Sequence, residues 1–208
     1  MLRRLTVKAR GGFEPAVLRR WIPAGVAVAV LLGAAAILIG RELSSPPKPE
    51  PPARRANAFV QFRDAAGGFS ISYPAAWRRI ASSDPEVRLL AEGEGSSILL
   101  RTAGLGIEVG AKNLGRARKL TDKLVRAAGK AELLRPPQQV DLGGLPGYLY
   151  LYTFSNASTG QQGAHAHYFL FRGRAVITIV FQTVPAERLA RLAPLFDRIG
   201  ETLRPIPG

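Results

Sequence analysis

The chain of 208 residues has no cysteine, two histidines and one methionine. Without cysteine there can be no disulfide, no thiolate metal centre and no lipid-modified cysteine anchor. Signature motifs of chemistry are missing as well: there is no G-x-S-x-G elbow, H-E-x-x-H pair, phosphate-binding P-loop or complete dinucleotide fingerprint. Gly104-Leu105-Gly106 is half of such a fingerprint and lacks the third glycine. Acids are scarce too, with 15 Asp and Glu against 29 Lys and Arg, for a net charge of +14. No reaction and no cofactor can be read from these residues, and the expectation is a protein that is not an enzyme.

What the chain does have is one long apolar run. Trp21 to Gly40, WIPAGVAVAVLLGAAAILIG, carries no ionisable side chain. As a helix it would reach about 30 Å, the thickness of a bilayer's hydrocarbon core, with every backbone polar group satisfied internally. Arg3, Arg4, Lys8, Arg10, Arg19 and Arg20 precede it, opposed by Glu14. The basic residues that follow, Arg41, Lys48, Arg54 and Arg55, are more dispersed and mixed with Glu42 and Glu50. Basic flanks stay in the cytoplasm, so the N-terminus is expected inside and the rest of the chain outside. A cleaved signal peptide would have a shorter apolar core ending at a small-x-small site. Here Ala34-Ala35-Ala36 is followed by Ile37-Leu38-Ile39, and Ala56-Asn57-Ala58 lies far beyond the run. A helix of a soluble protein that is apolar on all sides must be buried, and a Pro-rich stretch separates this run from the only domain that could bury it.

These signs divide the chain into a basic cytoplasmic tail (1–20), a transmembrane helix (21–40), a Pro-rich linker (41–57) and an extracytoplasmic domain (58–208). The linker contains LSSPPKPEPPARRAN, whose prolines forbid helix and sheet and favour an extended stalk. The positive charge is shared: ten basic and three acidic residues up to position 57 give +7, and the domain carries another +7. Half the excess is therefore explained by topology and by attraction to anionic lipid. Nucleic acid is not an expected partner, because the domain is placed outside and no aromatic stacking pattern accompanies its cations.

Within the domain, apolar residues at every second position mark strands: Val60 and Phe62, then Phe69, Ile71 and Tyr73. The turn Ala65-Ala66-Gly67-Gly68 joins them, Pro74 ends the second, and Trp77 is a core plug. Further strands are expected at 87–91, 97–102, 138–142, 148–154, 165–171 and 175–182. Arg172-Gly173-Arg174 reads as a tight hairpin between the last two. Ala117, Leu120, Leu124 and Ala127 or Ala128 predict a helix between Lys112 and Lys130. Leu189, Leu192, Ala193, Phe196, Ile199 and Leu203 predict a C-terminal one, with Pro185 in its first turn and Pro194 kinking it. The result is an α+β domain, an antiparallel β-sheet flanked by helices.

The segment Gly68-Phe69-Ser70-Ile71-Ser72-Tyr73-Pro74-Ala75-Ala76-Trp77, after a strand with Phe62 and Asp64, resembles the G-F-S-hydrophobic-x-Y-P-x-x-W opening of the PsbP-like (LpqN-type) superfamily. The order of later elements fits too, including Gly147-Tyr148 and the closing Ile199-Gly200-Glu201-Thr202-Leu203, so the resemblance covers most of 58–208. It implies an antiparallel sheet flanked by helices and a mostly non-enzymatic module, often at membranes. Some such proteins bind metals, but no matching ligand set is present and none is carried over.

One surface stands out. Arg116, Lys119, Lys123, Arg126 and Lys130 share a helical face that Lys112 extends. Asp122 sits beside it, within i,i+4 reach of Arg118 and Arg126. These cations are the candidate contact for an envelope protein or an anionic envelope surface. They also have a plain explanation, as long side chains covering the edge of a core. His165 and His167 share a strand face with Phe169 and Phe171, and two imidazoles are too few for zinc, so they are expected as ordinary strand residues. Asp84, Glu86, Glu92 and Glu94 are expected as solvated turn acids. Asn156-Ala157-Ser158 is a formal glycosylation triplet. A small-ligand carrier or unrecognised enzyme, with a pocket between sheet and helix, is the alternative to a binding or assembly module.

Overall fold

The computed structural model describes residues 58–127, 131–155 and 160–206. The tail, the apolar run 21–40 and the linker lie outside the described residues, as do Ala128, Lys130 and the triplet at Asn156. Among the described residues no helix is long and apolar enough to cross a membrane.

Strand β1 (Phe59–Asp64) turns at Gly68, whose φ of 72° suits glycine, and returns as β2 (Phe69–Pro74). Phe69, Ile71 and Tyr73 are buried as their spacing predicts, and so is Trp77. In β1 the alternation fails: Phe59 and Phe62 are half-buried while Val60 is exposed. The short β10 (Arg204–Pro205) pairs with the far edge of β2, completing a three-stranded sheet.

The larger sheet contains β3 (Arg78–Arg79), β4 (Val87–Gly93), β5 (Ser96–Val109), β6 (Glu132–Leu133), β7 (Gln138–Leu142), β8 (Leu145–Ser155) and β9 (Gln162–Thr183). Its order is β3-β4-β5-β9-β8-β6, with β7 also on the outer edge of β8, and all pairings are antiparallel. β4 and β5 join through Glu94 and Gly95, both at positive φ (54° and 68°), the twist a two-residue hairpin demands. β5 runs beyond Thr102 to Val109, so Gly104-Leu105-Gly106 is strand rather than phosphate loop.

β9 doubles back. Straight, the 17 steps between His165 and Gln182 would cover about 55 Å, yet His165 Nε2 lies 2.7 Å from Gln182 Oε1. The Ala186 N–H likewise donates to Gln162 O at 2.9 Å. The reversal falls at Arg172-Gly173-Arg174, where Gly173 has a φ of 58°, as the sequence indicates. One arm pairs with β8 and the other with β5. The Arg172 guanidinium donates to Gly68 O (2.7 Å) and Ile206 O (2.9 Å), fastening the hairpin tip to the smaller sheet.

Helices cover the two faces of the large sheet. Helix α1 is Leu114–Ala127 and α2 is Arg188–Gly200. The α2 side holds the main core: Phe69, Ile71, Ile98, Leu100, Ile177, Ile179, Phe181, Phe196, Ile199 and Leu203 belong to one cluster. Phe181 and Phe196 stack with ring centroids 4.7 Å apart. Burying an aromatic side chain of this kind contributes about 1.5–3 kcal/mol. α2 continues through Pro194, and Pro185 lies before the helix rather than in its first turn. The other face carries Tyr148, Tyr150, Tyr152, Phe169 and Phe171 under α1.

α1 is rotated from the orientation its leucines predict. Leu114, Ala117, Thr121 and Val125 are buried, Leu120 and Leu124 are half-buried, and Ala127 is exposed. The reason is polar: Thr121 and Asp122 reach down to Tyr150 and turn the helix toward that hydroxyl.

Candidate functional site

Chain leaving β5 enters α1 through a 3₁₀ turn, Ala111–Asn113. Asn113 holds this corner, its Oδ1 accepting from the Gly110 N–H (2.8 Å) and its amide donating to Glu108 O (2.8 Å). From there Lys112, Arg116, Lys119, Lys123 and Arg126 are all exposed. With about 100° per residue, the four helical cations fall in an arc of about 80° on the side opposite the buried residues. They do not cover a core edge, as the sequence allowed; they point away from the domain.

Beneath the helix lies a charge-assisted network. Asp122 Oδ1 accepts from Tyr150 Oη (2.7 Å) and Arg118 Nε (2.9 Å). Thr121 Oγ1 lies 2.6 Å from Tyr150 Oη, which can accept from it once its own proton goes to Asp122. The Tyr148 hydroxyl donates to Leu114 O at 3.3 Å. The Arg118 guanidinium lies 5.4 Å from the ring centre of Tyr148 and 6.0 Å from that of Tyr150. Burial raises the Asp122 carboxyl, but the hydrogen bonds from Tyr150 and Arg118 outweigh it and hold the group below its usual range. Burial, and then the bond to Asp122, push the Tyr150 hydroxyl up. Asp122 is therefore spent internally on Arg118 and Tyr150, and subtracts little from the outward cations.

The histidines are buried and polar-bonded. Tyr152 Oη lies 3.0 Å from His167 Nδ1, and His165 Nε2 meets Gln182. Their rings stack on strand neighbours, His165 on Phe154 and His167 on Phe169, at 4.3 and 4.0 Å. Burial lowers His165 to about 4 and His167 well below its ordinary value. Register places Tyr152, His165, Gln182, Ser97, Glu92 and Arg78 in one polar row across the sheet. Sequence spacing put both histidines on one face but gave no sign of this row, which depends on pairing between distant strands. Among the described residues no group of three His, Asp or Glu is placed to hold a metal ion.

The acids near the β3–β4 loop are not merely solvated. Glu86 pairs with the buried Arg101, Asp84 lies 3.9 Å from the same guanidinium, and Glu92 meets Arg78 at 2.8 Å. Asp64 and Arg88 form a further pair (2.5 Å), and this bond holds the Asp64 carboxyl below its usual range. A cleft of about 250 Å³ opens by the hairpin tip, lined by Gly67, Glu86, Thr102, Gly104, Arg172 and Ile177 among others. Arg172 is already engaged with backbone carbonyls there.

The arrangement of sheet and helices matches known structures. Over 77% of this chain and 99% of the other, it superposes on the cyanobacterial PsbP (CyanoP) of Synechocystis sp. PCC 6803, with TM-score 0.58 and 14% identity. It superposes on LpqN of Mycobacterium tuberculosis, a protein involved in cell envelope biogenesis, with TM-score 0.51 and 12% identity, over 77% and 100% of the two chains. No protein-family model and no curated protein matches the chain. The fold is thus PsbP-like, in agreement with the Gly68–Trp77 motif.

Proposed function

We propose that the chain is a membrane-anchored, non-catalytic binding or assembly module of the bacterial cell envelope. Its apolar run 21–40 crosses the membrane once with the N-terminus inside, and the folded domain faces outside. The observation that carries this reading is the set of exposed cations on α1, opposite the helix's packed side. They offer a contact surface and no reaction chemistry. LpqN, of like fold, is described as acting in cell envelope biogenesis, which supports the placement.

The alternative, a ligand carrier or enzyme, would need a pocket between a helix and the sheet; under α2 the space is filled by Phe196 and Ile199 packed with Phe181 and Ile179, which leaves the α1 side. That interface is occupied by Leu114, Ala117, Thr121 and Val125 against Tyr148, Tyr150 and Phe169, so the observations favour the binding module. Membrane fractionation with protease treatment of intact cells tests the reading. The chain is expected to sediment with membranes and to lose its domain to external protease. A freely soluble chain after gentle lysis, or a domain protected in intact cells and cleaved only on lysis, would overturn it.

A further inference from the structure

The cations of α1 have an apolar companion. Among the described residues three large apolar side chains are exposed: Val60, Leu133 and Leu134, at 42, 48 and 53%. Two of these are adjacent and follow α1 in the chain. Leu133 pairs with Tyr152 across β6 and β8, and directly paired residues point to one face. Tyr152 belongs to the cluster under α1, so Leu133 lies on the α1 side of the sheet. The Leu134 N–H donates to Leu151 O (2.9 Å), which fixes this segment at the sheet edge and sets Leu134 opposite Leu151, on the α2 side. Arg135 and Pro136 beyond it are exposed as well.

Outward cations with an exposed leucine on the same side of the sheet have the chemistry of an interfacial lipid contact. The cations meet phosphate head groups while Leu133 enters the boundary with the acyl chains. An acidic protein would engage the cations and leave Leu133 without a role in the charge pairing. We propose that α1 and the Leu133 edge dock the domain onto the anionic face of the bilayer that holds the chain's own apolar run. This rests on the tethered reading above and names the partner of the same surface. The linker permits it. If residues 41–57 take the extended form expected of their prolines, about 3.1 Å each would give a reach of roughly 50 Å, against a diameter of roughly 40 Å for a domain of this length. Chain entering at β1, in the sheet on the α2 side, can therefore pass around the domain and leave α1 facing the lipid. Tethering also makes docking intramolecular, so individually weak contacts suffice.

The absence of native cysteine makes the test direct. Full-length chain carrying Pro136→Cys, labelled with an environment-sensitive fluorophore, is reconstituted into vesicles with phosphatidylglycerol or of phosphatidylcholine alone. A second labelled chain carries Arg191→Cys, an exposed position on α2. In phosphatidylglycerol vesicles the label at 136 is expected to be blue-shifted and better shielded from iodide than that at 191. Shielding should vanish on phosphatidylcholine, at about 1 M salt, where screening cuts charge interactions to about 3 Å, and in Lys119→Glu/Lys123→Glu. It should weaken in Leu133→Ser. Equal quenching at both positions on anionic vesicles overturns the docking. If charge reversal then still removes crosslinked neighbours in cells, the face belongs to an acidic protein. Co-flotation with phosphatidylcholine vesicles reports on the anchor separately: a chain that fails to float overturns the tethered reading, while one that floats and is equally quenched overturns docking alone.

Discussion

Acidification should destabilise the domain through two buried histidines before any carboxylate matters. His165 and His167 are 1% and 2% exposed. Burial lowers His165 from 6.5 to about 4, and His167 moves in the same direction. In the unfolded chain both titrate near their ordinary value. As pH falls below about 6.5 the unfolded state therefore binds protons that the folded state refuses, and stability falls. For His165 the penalty grows until the pH reaches its folded value near 4, then levels off. At pH 5 it amounts to about 2 kcal/mol, and His167 can add no more than about the same again. Asp64 and Asp122, held below their usual range when folded, are charged in both states down to about pH 5 and contribute little slope between about pH 7.5 and 5. The assay is urea unfolding of residues 58–208, followed by tryptophan fluorescence at pH 7.5 and 5.0. Wild type is expected to lose about 2–4 kcal/mol between the two, and His165→Gln/His167→Gln to lose much less. An equal loss in the double variant would refute the assignment to these imidazoles.

Three further outcomes follow from the packing. Tyr150→Phe removes a donor to the charged Asp122 and an oxygen that can accept from buried Thr121, so unfolding should show a loss of about 1.5–3 kcal/mol. Because the Asp122 carboxyl is held low, that loss should persist above the ordinary carboxylate range and shrink as pH falls through the folded value. Phe181→Ala, at a fully buried ring stacked on Phe196, should cost about 3–5 kcal/mol in the same assay. Lys119→Glu/Lys123→Glu, at exposed positions, should change stability by no more than about 0.5 kcal/mol per site, by thermal or urea unfolding.

Legibility in the sequence followed the range of the interactions. Period-two spacing found β2, and the run Gln138–Leu142 matched β7, because these signals are local. Arg172-Gly173-Arg174 announced the reversal in β9 for the same reason, since a glycine at positive φ is a local demand. The short strands β3, β6 and β10, two residues each, exist through their partners and have no periodicity to read. Val60 failed because β1 is covered on too little of its surface to bury every second residue. On α1 the spacing of the cations predicted one shared face, and Lys112, Arg116, Lys119, Lys123 and Arg126 are exposed, but the buried stripe was not foreseen. Leu120 and Leu124 advertised an apolar face that Thr121 and Asp122 overruled by hydrogen bonds to Tyr150, 28 and 29 positions away. The acids near Asp84 looked solvated because their partner, Arg101, arrives from β5.

The rotation of α1 links its stability to the use proposed for it. An apolar helix face can slip by a fraction of a turn at small cost, since leucines repack readily. A hydroxyl and a carboxylate meeting one buried tyrosine cannot, because a shift strands the Tyr150 hydroxyl, while Thr121 and Asp122 keep only their partners within the helix, Arg118 O and Arg118 Nε. The Thr121–Tyr150–Asp122–Arg118 network therefore sets the helix's angle about its own axis, and with it the direction in which Arg116, Lys119, Lys123 and Arg126 point. Had α1 packed through Leu120 and Leu124, the cations would sit about 100° from the core and lie along the domain's flank. Packed through Thr121 and Val125, they face directly outward, the orientation in which a flat charged surface can meet them together. The polar interface costs desolvation that an apolar one would not, and what it confers is direction.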